Sequence, residues 1–491
     1  MGSGPRPVLF LTSPEYGQAN VVLATAQQLA RSSEYDVYIA SFAPLHKRVD
    51  DVNLRDERLA KPISFVEIPG LSAGTSAQRH LGDTSKWVHP PGFLPAARSY
   101  KSVEYLLMGD SPSEYIQTYN ACLQIIQDIK PAAVVCDILL IAGHDAVRTL
   151  KLDYIVISPC SGKEVVGVAM PGAPMMLKWP MQSSGMKYPL SGLQTLQNIC
   201  LFFCFAYSVI LGPTFARIRK ARTEAGIKHQ SPMYNMYQKQ LLYIAPHLPE
   251  ADWDELKTTP SNLVVCGPIV MAPLQDDTDS GRDLLKWLSQ RPTVMVNLGS
   301  LHGAEGPSSL AIARGLQTVL GSNSEVQVLW KLKYDWENDS DMASILRPFI
   351  EAGRLRVTPW LDIEPSALLE TGYICCSVHH GGANSFYEAC RAGVPHLVLP
   401  IWWDTYEYAE RVKYHRIGAI GNAGVAPAVD ADQFDSELLL VLGDKEIKRN
   451  AAAIGAACKR RGEGREIAAA EVASWAQAFK SWPEKGGPVE K

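Results

Sequence analysis

Ten short apolar runs alternate with helical patterns along these 491 residues, and that rhythm constrains the fold more than any other feature. Strand followed by helix, repeated, closes as parallel sheets covered by helices on both faces, so the class is α/β. The runs of the first half cover residues 8–13, 36–42, 64–69, 132–137 and 154–159. Those of the second half cover 293–298, 326–332, 355–359, 373–378 and 396–400. The chain is too long for one core of ordinary size and suits two domains. A polar stretch without periodicity, 273–281, separates the halves. The boundaries expected are a domain at 1–270, a linker at 271–281, a second domain at 282–464 opening with a helix at 282–290, and a strong helix pattern with its tail at 465–491.

One stretch carries chemistry. Residues 360–406 read WLDIEPSALLETGYICCSVHHGGANSFYEACRAGVPHLVLPIWWDTY. An apolar run leads into His-Gly-Gly-Ala-Asn-Ser, and a helical pattern follows with Glu388 on its early turns. Strand, glycine turn and helix N-terminus in that order make an anion site, because free backbone N–H groups and the positive helix end converge there. His380, Asn384 and Ser385 are the donors such a site would aim at a phosphate.

The stretch resembles the donor-sugar signature of the family 1 UDP-glycosyltransferases, which are inverting enzymes of the GT-B class. By that resemblance Trp360 would stack on the uracil ring. His380, Gly382, Asn384 and Ser385 would hold the diphosphate, and Glu388 would bind the ribose hydroxyls. Asp404, preceded by Trp403, would read the sugar hydroxyls. Two glutamines of the family are absent, with Ile363 and Thr405 in their places, so the sugar itself stays open. Gly299-Ser300, after the strand at 293–298, matches a Gly-Ser turn beside the pyrophosphate, and His302-Gly303 would extend it. The implied architecture is GT-B: two facing Rossmann-like parallel-sheet domains with the active cleft between them and a C-terminal helix that crosses back to brace the first domain.

The N-terminal half departs from the family. Its usual Gly-His at the start of the first helix supplies the general base, but the corresponding run is Ser-Pro-Glu-Tyr-Gly-Gln with Gln18 at the base position. An amide does not accept a proton at ordinary pH. The family's orienting Asp has a match in Asp137. Glu15 is the first candidate for a replacement base, since a carboxylate in a cleft can be pushed towards neutral pKa. Tyr16, His144 and Asp145 are the others. An acidic acceptor needing little base help, and a protein that binds without catalysis, are the competing explanations. The same run and the phrase IASFAPLHKRV also resemble a group of fungal relatives.

The expected reaction is inverting transfer of a hexose from a UDP-sugar, as co-substrate, to a small lipophilic acceptor such as a terpenoid or polyketide. No cofactor or metal is implied. A sugar-nucleotide epimerase fits the 360–404 spacing less well, and a sterol or lipid glycosyltransferase at a membrane is a variant of the same class. A net charge of −4 gives no footprint for nucleic acid. Ten cysteines without paired or metal-ligand spacing, among them Cys136, Cys200, Cys204, Cys375 and Cys376 in apolar runs, read as buried reduced thiols of a cytoplasmic protein. No signal peptide or myristoylation pattern is visible at the N-terminus. Residues 199–211, ICLFFCFAYSVIL, are the most apolar stretch. Too short to span a bilayer, they read as a buried helix lining an acceptor cavity, with peripheral membrane contact as the alternative.

Overall fold

The computed structural model describes residues 4–82, 87–109, 111–273, 278–299 and 306–482. The strands of the first half are β1 (Arg6–Leu11), β2 (Tyr35–Ser41), β3 (Ser64–Glu67), β4 (Ala133–Asp137), β5 (Ile155–Ile157), β6 (Leu242–Ala245) and β7 (Leu263–Val265). Those of the second are β8 (Thr293–Asn297), β9 (Gln327–Lys331), β10 (Leu355–Thr358), β11 (Ile374–His379), β12 (His396–Val398) and β13 (Gly418–Ile420). They form two sheets, ordered β3-β2-β1-β4-β5-β6-β7 and β10-β9-β8-β11-β12-β13. Every ladder in both is parallel. The ten apolar runs are all strands. The sequence reading passed over β6, β7 and β13, which have only three or four residues each.

Alternation along each strand feeds two faces. In β1, Val8 and Phe10 enter one apolar cluster while Leu9 and Leu11 enter the other. The cluster beneath Val8 also takes Ala468, Ala469, Val472 and Ala476 from the last helix, Gly464–Ala478. That helix packs along Tyr16–Leu29, the first helix. Arg6 Nη1 donates to the Ala476 carbonyl at 3.0 Å, and Gln477 Nε2 to the Tyr35 hydroxyl at 3.0 Å. The C-terminal helix thus braces the first sheet, completing the GT-B arrangement.

Both sheets reverse strand order at one point, between β1 and β4 and between β8 and β11. Loops leaving the carboxyl ends of strands at such a point diverge to opposite faces and open a crevice. Here the two crevices carry the loops after β1 and β4 on one side, and the loops after β8 and β11 on the other.

Three expectations need correction. The second domain's first helix is Asp279–Leu288, so residues 279–281 are helical rather than linker; Thr278 caps it by accepting from Gly281 N at 3.0 Å. Residues 274–277 of the expected linker lie outside the described residues. The stretch 199–211 belongs to the helix Gly192–Leu211, of which only Asn198, Leu201 and Val209 are buried. It is apolar all round, but as an outer layer it has a partner on one face only. Together with the next helix it forms a run, Gly192–Glu224, long and apolar enough by composition to cross a membrane. Cys200 is accordingly exposed, and Cys204 and Cys375 only partly covered.

Candidate active site

The donor side is built where β8 and β11 end. Asn297 Oδ1 accepts from Gly299 N at 3.3 Å, turning the chain at once after β8. Gly299 has φ +94° and Gly381 φ +91°, values open to glycine at no steric cost. The His380 ring is wedged between two glycines. A Cβ on Gly299 would stand 2.8 Å from His380 Cε1, and one on Gly382 2.5 Å from Nε2. Behind the turn, buried His379 accepts from Gly381 N through Nδ1 at 3.1 Å and so donates from Nε2 to His396 Nδ1 at 2.9 Å. Ser300, His302 and Gly303 lie outside the described residues.

Gly382 is the N-cap of the helix Ala383–Ala392, with no side chain closing its first turn. Asn384 and Ser385 stand on that turn, and Asn384 Nδ2 donates to the Tyr16 carbonyl across the cleft at 3.2 Å. Glu388 follows one turn later. Desolvation, and then the neighbouring carboxylate of Glu364, push its pKa up to about 8, against Arg48 and Lys331. Lys331, at the end of β9, donates to the Gly299 carbonyl at 2.9 Å. Desolvation and the nearby Lys333 hold its ammonium down to about 8. The Trp360 indole, 41% exposed, has the Lys331 ammonium 4.5 Å and that of Lys333 5.1 Å from its ring. The edge of Tyr16 meets it at 6.2 Å. An exposed indole, two cations and an open helix N-terminus therefore share one cleft, a combination that suits an aromatic base carrying a diphosphate.

Residues 401–405 dock this half onto the first. Trp403, at φ +43°, aims its ring at Tyr100, 6.0 Å away and perpendicular, and at Phe205, 6.1 Å away. The structure thus sets the Trp403 ring against the apolar wall of the first domain. Asp404 is half-buried, with desolvation first and then Glu164 raising its pKa to about 7. Thr405 Oγ1 accepts from Ile401 N at 3.1 Å and Trp402 N at 3.0 Å, so its hydroxyl serves the loop. Ile363 packs in the core.

On the first domain, Asp137 ends β4 and is buried. Its Oδ2 accepts from Thr12 Oγ1 at 3.1 Å and Ser13 N at 3.3 Å, and its Oδ1 from Leu139 N at 3.1 Å. Desolvation outweighs those donors and lifts its pKa to about 6. These bonds tie the β1 and β4 loops together. No described bond joins Asp137 to Gln18, whose Oε1 is buried without a hydrogen-bond partner. Glu15 lies close enough to raise Asp137 further. The Glu15 carboxylate accepts from Ser72 Oγ at 2.6 Å and rests on Gly74, where a Cβ would come within 2.4 Å. Desolvation raises its pKa, against the Ser72 hydrogen bond. His144 and Asp145 are excluded as bases by their bonds. Both His144 nitrogens are taken, by the Tyr154 hydroxyl and the Asp137 carbonyl at 3.0 Å each. Asp145 is locked to Arg222 at 2.6 and 3.0 Å and to the Tyr115 hydroxyl at 2.7 Å.

A fungal protein, glycosyltransferase sdnJ of Sordaria araneosa, is 34% identical over 93% of this chain and 95% of its own length. The chain belongs to the GT-B UDP-glycosyltransferase family. Residues 353–473 match the C-terminal domain described as erythromycin biosynthesis protein CIII-like. Among solved structures, Medicago truncatula UGT71G1 complexed with UDP-glucose superposes with a TM-score of 0.64 at 16% identity, over 96% of this chain and 98% of that one. Phytolacca americana UGT2, complexed with UDP-2-fluoro-glucose and pterostilbene, gives 0.61 at 15% identity, over 96% and 100%.

In this UDP-glycosyltransferase the structure gathers Gly299, Trp360, His380, Gly382, Asn384, Ser385 and Glu388 along one cleft wall, and Glu15, Gln18 and Asp137 at the ends of β1 and β4. Lys331, Lys333, Ser72 and Gly74 were missed. The two lysines had a signal, since cations at the carboxyl end of a parallel strand face the crevice. Ser72 and Gly74 had none, because they reach Glu15 only through the fold.

Proposed function

We propose that this glycosyltransferase moves a hexose from a UDP-sugar to a small lipophilic acceptor with inversion, and that Glu15 takes the acceptor's proton. One observation carries the reading. The position of the family's histidine holds an amide, while a desolvated carboxylate three residues earlier is held by Ser72 on the loop whose Tyr16 meets Trp360. Desolvation strengthens that carboxylate as a base near neutral pH.

The uracil stacks on Trp360, and Glu388 holds the ribose. The open N-terminus of Ala383–Ala392, with His380, Asn384, Ser385 and the Lys331 ammonium, meets the charge that grows on the departing diphosphate. Asp404 orients the sugar. The acceptor oxygen attacks the anomeric carbon as Glu15 removes its proton, the bond to the diphosphate breaks, and UDP leaves with the electron pair. The aromatic wall of Tyr100, Phe205 and Trp403 suits an apolar acceptor of terpenoid or polyketide type, and the Phytolacca neighbour was captured with the phenolic pterostilbene. The ten unpaired cysteines suit a reducing compartment such as the cytoplasm.

The test is turnover of the purified protein with a panel of UDP-sugars against alcohol, phenol and carboxylic acceptors, read as UDP released and product mass. Transfer to alcohols that collapses in Glu15→Gln supports the reading. Products limited to acidic acceptors, indifferent to Glu15→Gln, would assign the proton to the substrate's own acidity.

A further inference from the structure

The outward face of the helix Gly192–Leu211 is an apolar feature that the site leaves unused. Leu193, Leu196, Phe203 and Tyr207 each keep 60–70% of their surface exposed, and Ile210 and Leu211 about half. With exposed Cys200 they recur every three or four residues, so they form one stripe down the helix. At 1.5 Å per residue it is roughly 30 Å long. A stripe of this size in water is unusual for a surface that nothing covers.

The charge around the stripe says what covers it. Residues 165–223 contain no Asp or Glu, in a chain that carries 51 in 491. The same stretch holds Lys178, Lys187, Arg217, Arg219, Lys220 and Arg222. Arg222 is spent on buried Asp145, and Lys178 pairs with Glu255 at 3.2 Å. Lys187, Arg217, Arg219 and Lys220 are exposed, and Lys220 has only a loose partner in exposed Glu224 at 3.8 Å. The helix Phe93–Met108, packed against the stripe's own helix, adds exposed Arg98 and Lys101. An apolar ridge flanked by more exposed cations than carboxylates, Glu224 among the latter, complements an anionic lipid surface.

The helix is tied to the protein body, which suits lying on such a surface rather than crossing it. Asn198, fully buried, fastens its middle to the body: Oδ1 accepts from Met181 N at 2.7 Å, and Nδ2 donates to the carbonyls of Met175, Met176 and Trp179 at 2.9–3.2 Å. A capping box of Ser191 and Gln194 fixes its start. Its inner face meanwhile packs Leu201 and Phe205 into the cluster that holds Trp403, next to Asp404.

We propose that this face docks the enzyme on an anionic bilayer, with the Leu193–Leu211 stripe set among the headgroups and the flanking Arg and Lys side chains on the phosphates. Resting on the reading of a lipophilic acceptor, the arrangement gives such a molecule a short route from lipid to the Trp403 wall. The docking itself does not depend on that reading.

Flotation of the full chain with phosphatidylcholine vesicles, with and without phosphatidylserine, tests it. The protein is expected to float with the anionic vesicles and to be released by high salt. Arg217→Gln and Lys220→Gln should each lower the partition roughly fivefold. Phe203→Asp with Tyr207→Asp should lower it at least tenfold, with the circular dichroism spectrum and the rate on a soluble phenol unchanged. Failure to float, or flotation indifferent to Phe203→Asp and Tyr207→Asp, overturns the proposal. So does a dimer in sedimentation that dissociates in that variant, since the face would then belong to a second copy. Flotation without transfer in any assay would leave docking standing and count against the catalytic reading alone.

Discussion

Glu15→Gln separates catalysis from stability in a way that no structural role for Glu15 reproduces. Loss of a positioned general base costs about 10²–10⁴ in kcat, or roughly 3–5.5 kcal/mol in the barrier. The donor KM should hold, because Glu15 touches Ser72 and Gly74 and, among the described residues, none on the proposed donor side. Stability should move the other way. The folded protein raises the Glu15 pKa above 4.5, so its neutral form is the favoured one. That contribution is present below the unfolded pKa and is lost as pH rises through the folded pKa; above the folded pKa the ionised carboxylate is a cost that glutamine removes. The assay is initial-rate UDP release on an alcohol acceptor, beside thermal melts at the same pH. Ser72→Ala supplies the control. Losing the 2.6 Å hydroxyl donor removes support for the carboxylate, so the acid limb of the kcat profile should shift to higher pH while the enzyme stays active. Near-wild-type kcat on alcohols in Glu15→Gln, or a Ser72→Ala profile unmoved or displaced to lower pH, would refute the reasoning.

Gly382→Ala brings a Cβ within 2.5 Å of His380 Nε2, and Gly299→Ala adds a left-handed φ to a 2.8 Å approach; each should raise the UDP-sugar KM at least tenfold in steady-state kinetics. Asp137 rises from 3.8 to about 6 on folding, so its stability contribution fades as pH rises through that window. Melts of Asp137→Asn should gain on wild type by ~2 kcal/mol between pH 4 and pH 6–7, about 1.5 units at about 1.36 kcal/mol each. Chelator treatment is expected to leave turnover unchanged, because in the proposed scheme backbone N–H groups, the His380 N–H and the Lys331 ammonium meet the diphosphate; a metal-restorable loss would sink that part of the scheme.

What the sequence shows well is what is local in it. The donor loop is contiguous, so the residues from His380 to Glu388 announce strand end, turn and helix start together, and the apolar runs announce ten of the strands. β6, β7 and β13 are passed over, and length does not explain it, since β3, β5, β10 and β12 also have only three or four residues. Non-local relations are silent. His144 and Asp145 follow Asp137 closely, but the helix Ile141–Thr149 turns both into the core, where Tyr154 and Arg222 satisfy them. The apolar stretch 199–211 gives no sign of which face is inward; the Asn198 bonds and the packing of Leu201 and Phe205 decide it. Trp403 reads as a donor residue by its neighbour Asp404, and its ring contacts with Tyr100 and Phe205 of the first domain leave no trace in the sequence.

The seam beneath Asp404 shows how the two halves keep their register. Helix Thr405–Tyr414 begins at Asp404 and carries Glu407 and Arg411, both buried. Glu407 is paired with Lys163 of the first domain, whose Nζ also donates to the Pro180 carbonyl at 2.8 Å. Arg411 Nη2 donates to Glu407 Oε1 at 2.6 Å and to Ser161 Oγ at 3.0 Å, and lies 3.4 Å from Asp252 Oδ1. A buried network of this kind adds little net stability over apolar packing, since desolvation offsets attraction, but removing one member leaves an unpaired charge. Arg411→Met should therefore cost about 3–5 kcal/mol in denaturant unfolding. Lys163→Met with Glu407→Leu should cost less than the sum of the two single changes, because the double variant strands fewer charges. The network's value lies in geometry. By pinning Glu407 to Lys163 it fixes the helix that starts at Asp404, the residue proposed to orient the sugar, so the double variant should lose kcat out of proportion to its stability. A double variant of near-native stability and unchanged kcat would show that the seam places nothing, and that packing alone aligns the halves.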